Sequence, residues 1–393
     1  MTRTPDIVVL APGFLGFSRF GGFYYFADRV VAAIRGLLEE ALGRRVPVVA
    51  CATLPTDALA RRQHFLVDYL HTLCTTRLAG VRRIHLVGHS TGGVDAQLLA
   101  GTTTVAGARW SARAQTVRRR IASVVTISAP HHGTGLADSR LARFGENPLR
   151  HPTAIAPTAL TLFHLLAVLP REAEATLGLQ VARPNDVLKF LFQIVRHREL
   201  IADLRPVHMA QVRSTVRHDP SIPLTCFVTG TVPRRGGGES DPFFRDLYGM
   251  TADGSAHVGS DVGSAVLDRN RRLLTAALAG RGDAVIVGPE GRVPAAVDLR
   301  LNDGIVNSAR QLVDGAEPGQ FGGFVVADHG DVIGHYDRQD DLIDGAPFNA
   351  GLFHSGARFG DDQFFELYRR VANAILRAVP RPVDSAPPRS GET

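Results

Sequence analysis

Ser90 stands in the run HLVGHSTGG at 85–93 and is the only serine in the chain with glycine at both minus two and plus two, Gly88 and Gly92. An apolar run precedes it and the helix-compatible VDAQLLA follows it. That order reads as a strand, a tight turn and a helix, with the serine hydroxyl raised above a sheet. The glycines stand where a Cβ would strike the neighbouring strand and helix. A serine presented in this way is a nucleophile for acyl carbonyls, provided a base takes its proton and donors hold the oxyanion. The bland reading of the same spacing is a structural strand-to-helix turn, which a chain with 40 glycines can produce by chance.

A base and an orienting acid both follow the serine. AVDLRLNDGIVNSARQL puts Asp303 just past an expected strand, with Gly304 in a turn, and VVADHGDVIGH puts His329 just past another. The interval between them has room for a helix and a return strand. Both then lie at the carboxyl edge of the sheet, where open α/β sheets bind ligands. His329 would take the Ser90 proton and return it to a leaving alcohol. Asp303 would fix the imidazole tautomer and stabilise its cation. For Asp303 the alternative is a turn-forming Asx residue in N-D-G. His89, His131, His132 and His335 are rivals for the base, and Asp328 and Asp331 for the acid. The two aspartates are sequence neighbours of His329 and badly placed to receive its Nδ1 proton. The oxyanion donors are expected to be the backbone N–H groups of Thr91 and of Phe14, in the glycine-bearing loop APGFLGF, where Gly13 permits close approach.

The elements that must hold these residues alternate. DIVVLA (6–11), VPVVA (46–50), RRIHLV (82–87) and IASVVTISA (121–129) read as strands, with helices at 26–42, 57–79 and from 91 onwards. Val30, Val31, Ile34 and Leu38 share a face of the first helix, and Gly43 is its stop. This predicts a mainly parallel, doubly wound sheet covered by helices on both faces. Residues 136–215 are helical in pattern and without strands. PLTCFVTG (223–230), DAVIVG, AAVDLRL and FVVAD (324–328) resume the strand signals, with helices near 262–279 and 361–379. Residues 1–379 are therefore expected to be one α/β domain with a helical insertion at 136–215. The proline-rich stretch 380–393 is expected to be a disordered tail.

These stretches resemble, in order, those of bacterial triacylglycerol lipases and related esterases of the α/β-hydrolase fold. IVVLAPGFLGF is similar to their first strand and oxyanion loop, with Pro12 in place of the usual histidine. HLVGHSTGG resembles their nucleophile turn, SAPHHGT the strand that follows it, LNDGIV their acid segment and DHGDVIG their histidine segment. The resemblance implies the α/β-hydrolase fold, the triad Ser90, Asp303 and His329, and no required cofactor. It admits a structural calcium with Asp331 among its ligands, although one carboxylate alone cannot supply the six to eight oxygens such an ion takes. By position, 136–215 is similar to the family's lid, with Phe163, Phe190 and Phe192 (beside Leu165, Leu166 and Leu191) as an acyl-binding wall. The implied partner is a lipid or other ester, met at an oil–water interface if the lid moves. The same triad could serve a soluble-substrate esterase, a polyester depolymerase, a thioesterase or an acyltransferase, or the fold could be a non-catalytic binding scaffold.

Composition narrows the field. With 45% hydrophobic and 21% charged residues the chain is ordinary for a soluble globular protein. The net charge of +6 is nearly all arginine, since Lys189 is the only lysine. The arginines are scattered, Arg118–Arg120 being the longest run and reading as the solvated end of a helix. No basic stripe with interleaved aromatics points to nucleic acid. The three cysteines, Cys51, Cys74 and Cys226, make no disulfide framework or metal spacing. No segment reaches the roughly 18 apolar residues of a membrane span. No secretory signal is visible, which makes a cytoplasmic location the expectation, as a monomer.

Overall fold

Aliphatic and β-branched residues make β1 (Asp6–Ala11) a strand buried along its whole length. A computed structural model of the chain describes residues 6–14, 19–20, 23–77, 80–139, 199–234, 240–256, 264–280, 284–289, 291–314, 318–336, 342–343, 346–347 and 355–380. The further strands are β2 (Arg19–Phe20), β3 (Phe23–Tyr24), β4 (Val48–Ala50), β5 (Arg83–His89), β6 (Ile121–Ile127), β7 (Leu224–Gly230), β8 (Val285–Ile286), β9 (Phe321–Val326), β10 (Leu342–Ile343) and β11 (Ala346–Pro347). Seven of them form one all-parallel sheet in the order β4-β1-β5-β6-β7-β9-β8. β2 with β3 and β10 with β11 are small antiparallel pairs outside it.

Parallel neighbours cannot be joined by a hairpin, so the chain crosses back through helices. These are α1 (Asp28–Leu42), α2 (Leu59–Thr72), α3 (Thr91–Leu99), α4 (Ala112–Arg118), α5 (Gly135–Asp138), α6 (Glu199–Asp203), α7 (Pro206–Thr215), α8 (Pro242–Ala256), α9 (Ser264–Gly280) and α10 (Asp361–Leu376). The strand period of two sorts β1 between both faces of the sheet. Ile7, Val9 and Ala11 pack with Leu66 and Leu70 of α2, Ala96 of α3, Val117 of α4 and Leu274 of α9. Val8 and Leu10 pack with Val30, Ile34 and Leu38 of α1 and with Phe364, Leu367 and Val371 of α10. The expected doubly wound arrangement is therefore the observed one, and α1 ends at Gly43 (φ +61°) as its sequence predicts.

Four expectations need correction. AAVDLRL is not a strand: Asp298 Oδ1 accepts from Arg300 N (2.9 Å) and Leu301 N (2.7 Å), an Asx turn that bends the chain out of extended geometry. Asp303 is delivered instead by an isolated bridge between Thr231, just beyond β7, and Asn302. The interval between Asp303 and His329 holds two single 3-10 turns, Ser308–Arg310 and Pro318–Gln320, before β9, rather than a full helix. The helix expected over 57–79 ends at Thr72 and continues as a π turn, Leu73–Arg77. At the Arg118–Arg120 run, Arg118 does end a helix, but its guanidinium lies over the Trp110 ring (5.2 Å) and bonds Leu99 O (3.1 Å). Most of the 136–215 insertion, and the whole of 381–393, lies outside the described residues. Among the described residues no helix is long and apolar enough to cross a membrane.

The sheet is anchored at its amino edge by a buried charge. The Asp6 carboxylate takes Arg83 Nη2 (2.9 Å) and Nε, His85 Nε2 (3.3 Å) and Arg44. Burial alone would raise the Asp6 carboxyl. The hydrogen bonds from His85, Arg83 and Arg44 override it and hold the group far below the usual carboxylate range. A carboxyl depressed in the folded state stabilises fully above its unfolded value, near 3.8, and loses that contribution as the pH falls through the folded value. Asp6→Asn should therefore cost about 2 kcal/mol at pH 7 and flatten the stability curve below pH ~4. Urea unfolding at pH 7, 5 and 3 measures both. Equal losses at all three values would remove the carboxylate from this role.

Candidate active site

The β5–α3 turn presents Ser90 at φ +55°, ψ −132°, a backbone region that costs a non-glycine residue roughly 1–3 kcal/mol. The strain is held from several sides. Ser90 N donates to Ile127 O at the end of β6 (2.9 Å), and Gly93 N donates to Ser90 O (2.9 Å). A Cβ on Gly88 would lie 2.3 Å from Gly92 O, and one on Gly92 would lie 2.1 Å from Ala11 O. The two glycines are therefore required by close backbone approach, as their spacing predicts.

His329 lies three residues past the end of β9. Its Nδ1 is 2.9 Å from Asp303 Oδ2, and its backbone N donates to Asp303 O (3.0 Å). The Asp303 side chain is fully buried. Its Oδ1 accepts from Ile305 N (3.0 Å) and Val306 N (2.8 Å), and its Oδ2 accepts from Thr229 Oγ1 (2.6 Å) as well as from the imidazole. The Asx turn foreseen as an alternative to the acid is thus present, and one oxygen makes it while the other meets His329. The His329 ring centroid lies 4.5 Å from that of His89, the residue before Ser90. The sheet's carboxyl edge gathers all three predicted residues, from the ends of β5 and β9 and from the loop bridged to β7.

The loop after β1 closes over the serine. A Cβ on Gly13 would lie 2.5 Å from Ser90 Cβ and 3.0 Å from Ser90 Oγ. That contact brings the loop carrying Phe14 against Ser90. Thr91 N opens α3 and belongs to the first-turn amides that have no intrahelical acceptor. The loop that carries Phe14 and the first turn of α3 that carries Thr91 thus both adjoin Ser90.

Two features of the surroundings escape sequence reading. The Tyr25 hydroxyl is 2.8 Å from His89 Nδ1 and also bonds the Gly13 backbone, so it ties the loop to the turn. Arg62, wholly buried on α2, holds Asp95 of α3 through Nε (3.0 and 3.2 Å) and Nη2 (2.5 Å), bonds Leu54 O, and reaches Pro12 O (3.4 Å). Burial pushes the Asp95 carboxyl up and the Arg62 charge pulls it back. One guanidinium thus joins the nucleophile helix to the loop over the serine. Nothing in the spacing of Tyr25, Arg62 and Asp95 announces these contacts, because each spans tens of residues.

The rival histidines lie elsewhere or in other roles. His131 bonds Thr126 Oγ1 (3.2 Å), and burial lowers it to about 3. His132 lies 3.1 Å from Asp314 and is also lowered, by burial first and then by Arg213. His335 reaches the Tyr24 and Tyr25 carbonyls (3.0 Å each). His89 is kept neutral by burial, reinforced by the neighbouring His329. Asp328 spends Oδ1 on Gly330 N (2.9 Å) and Asp331 N (3.0 Å), and burial pushes it up to about 7. Asp331 Oδ2 accepts from Asp328 N (2.9 Å). Among the described residues no group of three His, Cys, Asp or Glu side chains could hold a metal ion. The expected wall residues Phe163, Phe190 and Phe192, with Leu165, Leu166 and Leu191, lie outside the described residues.

No family model matches the chain. A 158-residue stretch is 31% identical to a triacylglycerol lipase of Pseudomonas fragi, covering 40% of this chain and 45% of that protein. The chain thus matches less than half the length of this curated relative. Among solved structures, EstA of Clostridium botulinum superposes with a TM-score of 0.50 at 15% identity, over 95% of this chain and 88% of that one. A Staphylococcus hyicus lipase aligns with a TM-score of 0.48 at 14% identity, over 96% of both chains.

Removing one member of the Arg62–Asp95 pair leaves the other charge buried and unpaired. Arg62→Met should destabilise the protein by about 3–5 kcal/mol, and adding Asp95→Leu should recover most of that. Chemical denaturation of the parent, the two single variants Arg62→Met and Asp95→Leu, and the double variant measures the coupling. Simple additivity of the two losses would deny the pair its role as a tie.

Proposed function

We propose that this chain, which has the α/β-hydrolase fold, is a serine carboxylic-ester hydrolase acting on lipid esters. The observation that carries the reading is the strained Ser90 beneath the Gly13–Phe14 loop, at the same sheet edge as the His329–Asp303 pair. The lipase and esterase relatives support the reaction class, and the name of the Pseudomonas fragi protein supports a triacylglycerol substrate.

Ser90 Oγ attacks the ester carbonyl while His329 accepts the hydroxyl proton. Asp303 Oδ2 stabilises the imidazolium that forms. The carbonyl oxygen, now negative, is held by the Thr91 and Phe14 amides. As the tetrahedral adduct collapses, the C–O bond to the alcohol breaks and His329 hands its proton to the departing oxygen. Water, deprotonated by the same imidazole, then attacks the acyl-serine, and as the C–Oγ bond breaks His329 returns that proton to Ser90 Oγ and the acid leaves. The strain at Ser90 keeps the hydroxyl in place before substrate arrives, so little rearrangement is left for the reacting complex.

Ser90→Ala should lower kcat for a short-chain triglyceride by about five to six decades. Hydrolysis surviving within tenfold would end the assignment. Following the parent enzyme through the solubility limit of that triglyceride tests the substrate class. A steep rise as droplets form is expected of a lipase with a cover opened at an interface. Saturation before droplets form would mark a soluble-substrate esterase instead.

A further inference from the structure

Behind the His329–Asp303 pair runs a second layer of polar side chains that the reaction as written does not use. Ser128, Thr229 and Gln311 are fully buried and come from three places: the residue after β6, the end of β7 and the 3-10 turn after Asp303. Thr229 Oγ1 lies 2.6 Å from Asp303 Oδ2, and Gln311 Nε2 lies 3.4 Å from the same oxygen. Ser128 Oγ lies 2.8 Å from Thr229 Oγ1. The Gln311 amide is itself fixed to one backbone residue: Oε1 accepts from Thr229 N (2.7 Å) and Nε2 donates to Thr229 O (3.0 Å).

Hydrogen counting sets the direction of this chain. A threonine hydroxyl has one proton to give. Its candidate acceptors are the Asp303 carboxylate at 2.6 Å, Ser128 Oγ at 2.8 Å and Gln311 Oε1 at 3.1 Å, the last of which already takes Thr229 N–H. A charged acceptor at the shorter distance wins, so Thr229 donates to Asp303 and Ser128 donates to Thr229. Asp303 Oδ1 is occupied by two backbone amides, so the whole layer converges on Oδ2, the oxygen that faces His329. Ser128 adopts φ +54° although it is not glycine, which places the start of the chain in a strained conformation.

We propose that Thr229 is a positioning residue of the His329–Asp303 pair, aligned by Gln311 and polarised by Ser128, and that its hydroxyl sets how strongly Asp303 Oδ2 binds the imidazole proton. The proposal rests on the hydrolase reading for its catalytic meaning, but the hydrogen bond it concerns exists in the resting protein. Each donor on Oδ2 draws off negative charge that would otherwise bear on His329. Removing one concentrates that charge and favours the imidazolium.

The test is proton NMR of the low-field His329 Nδ1–H resonance, titrated with pH in the full chain without substrate, beside steady-state ester hydrolysis. The titratable groups nearest the pair are His89, whose ring faces His329 at 4.5 Å, and Asp328, which precedes it and feels the Asp303 charge. The charge of His335 bears on His89. All three are identical in every variant compared. Thr229→Val should move the midpoint of the resonance up by about half to one pH unit and lower kcat at pH 7 about tenfold with KM unchanged. Thr229→Ser, which keeps the donor, should restore both. An unmoved midpoint in Thr229→Val, with ester hydrolysis intact, overturns the proposal. A moved midpoint in a chain that hydrolyses no ester upholds the network and overturns the hydrolase reading. If Thr229→Val does not fold, Ser128→Ala takes its place. It should move the midpoint in the same direction by a smaller step, and no movement overturns the proposal.

Discussion

The backbone of Ser90 at φ +55° is the constraint on which the site depends. Left to itself, a serine would leave that conformation, because its Cβ crowds the carbonyl that follows. It stays because every route out is blocked. Ile127 O holds its N–H, Gly93 N holds its carbonyl, and the β1 backbone presses on Gly92 from the other side. β5 lies next to β1 and β6, so the turn at its end inherits the rigidity of three neighbouring strands. The strain is thus over-determined by the sheet and not by the turn itself.

In the proposed reaction a rigid Ser90 is useful only if the groups that must meet it are equally fixed, and these come from loops. The structure fixes the loops with buried charge and polar contacts added to the apolar packing of Phe14, Tyr25, Val332 and Ile333. Arg62 bonds Asp95 and the Pro12 carbonyl at once, and Tyr25 bonds His89 and Gly13. His329 is fastened twice to Asp303, by ring and by backbone amide. Hydrophobic contact is non-directional and would let such loops slide, whereas hydrogen bonds in a buried site fix angles as well as distances. The desolvation of Arg62 and Asp95 is the cost of that precision.

The legible part of this arrangement is the part encoded locally. β1, β5, β6 and β9 show as short apolar runs, Gly43 marks the end of α1, and Gly88-x-Ser90-x-Gly92 marks the turn, because each depends on neighbours in sequence. Asp303 and His329 were legible because each stands beside a turn residue in the right chain order. AAVDLRL misled because its apolar alternation is that of a strand, while Asp298 supplies a side-chain acceptor that bends the backbone first. Tyr25, Arg62, Thr229 and Gln311 were not legible. Arg62 falls on a helix in an RR pair that reads as solvated surface, and its burial follows only from where α3 places Asp95. Thr229 reads as an ordinary β-branched strand residue, and only the parallel pairing of β7 with β9 sets it beside the loop of His329.

The missing strand before Asp303 has a further meaning. A residue at the end of a strand is held by its ladder, but Asp303 follows a bend and two isolated bridges of Asn302, one with Thr231 and one with Asn307. Its position is therefore set by its side chain together with its backbone, whose N–H donates to Val306 O (3.3 Å) and whose carbonyl accepts from His329 N (3.0 Å). Oδ1 closes an Asx turn on Ile305 and Val306, which fixes the carboxylate to its own loop. Oδ2 is fixed to β7 through Thr229 and to the β9 loop through His329. The carboxylate is consequently both the charge that faces the imidazole and the joint that holds three segments of the carboxyl edge together. A neutral side chain of the same shape could keep one of these attachments but not all of them, since an amide would turn a donor toward groups that are themselves donors. In this protein the charge of Asp303 and the geometry of the loop that carries it are one requirement.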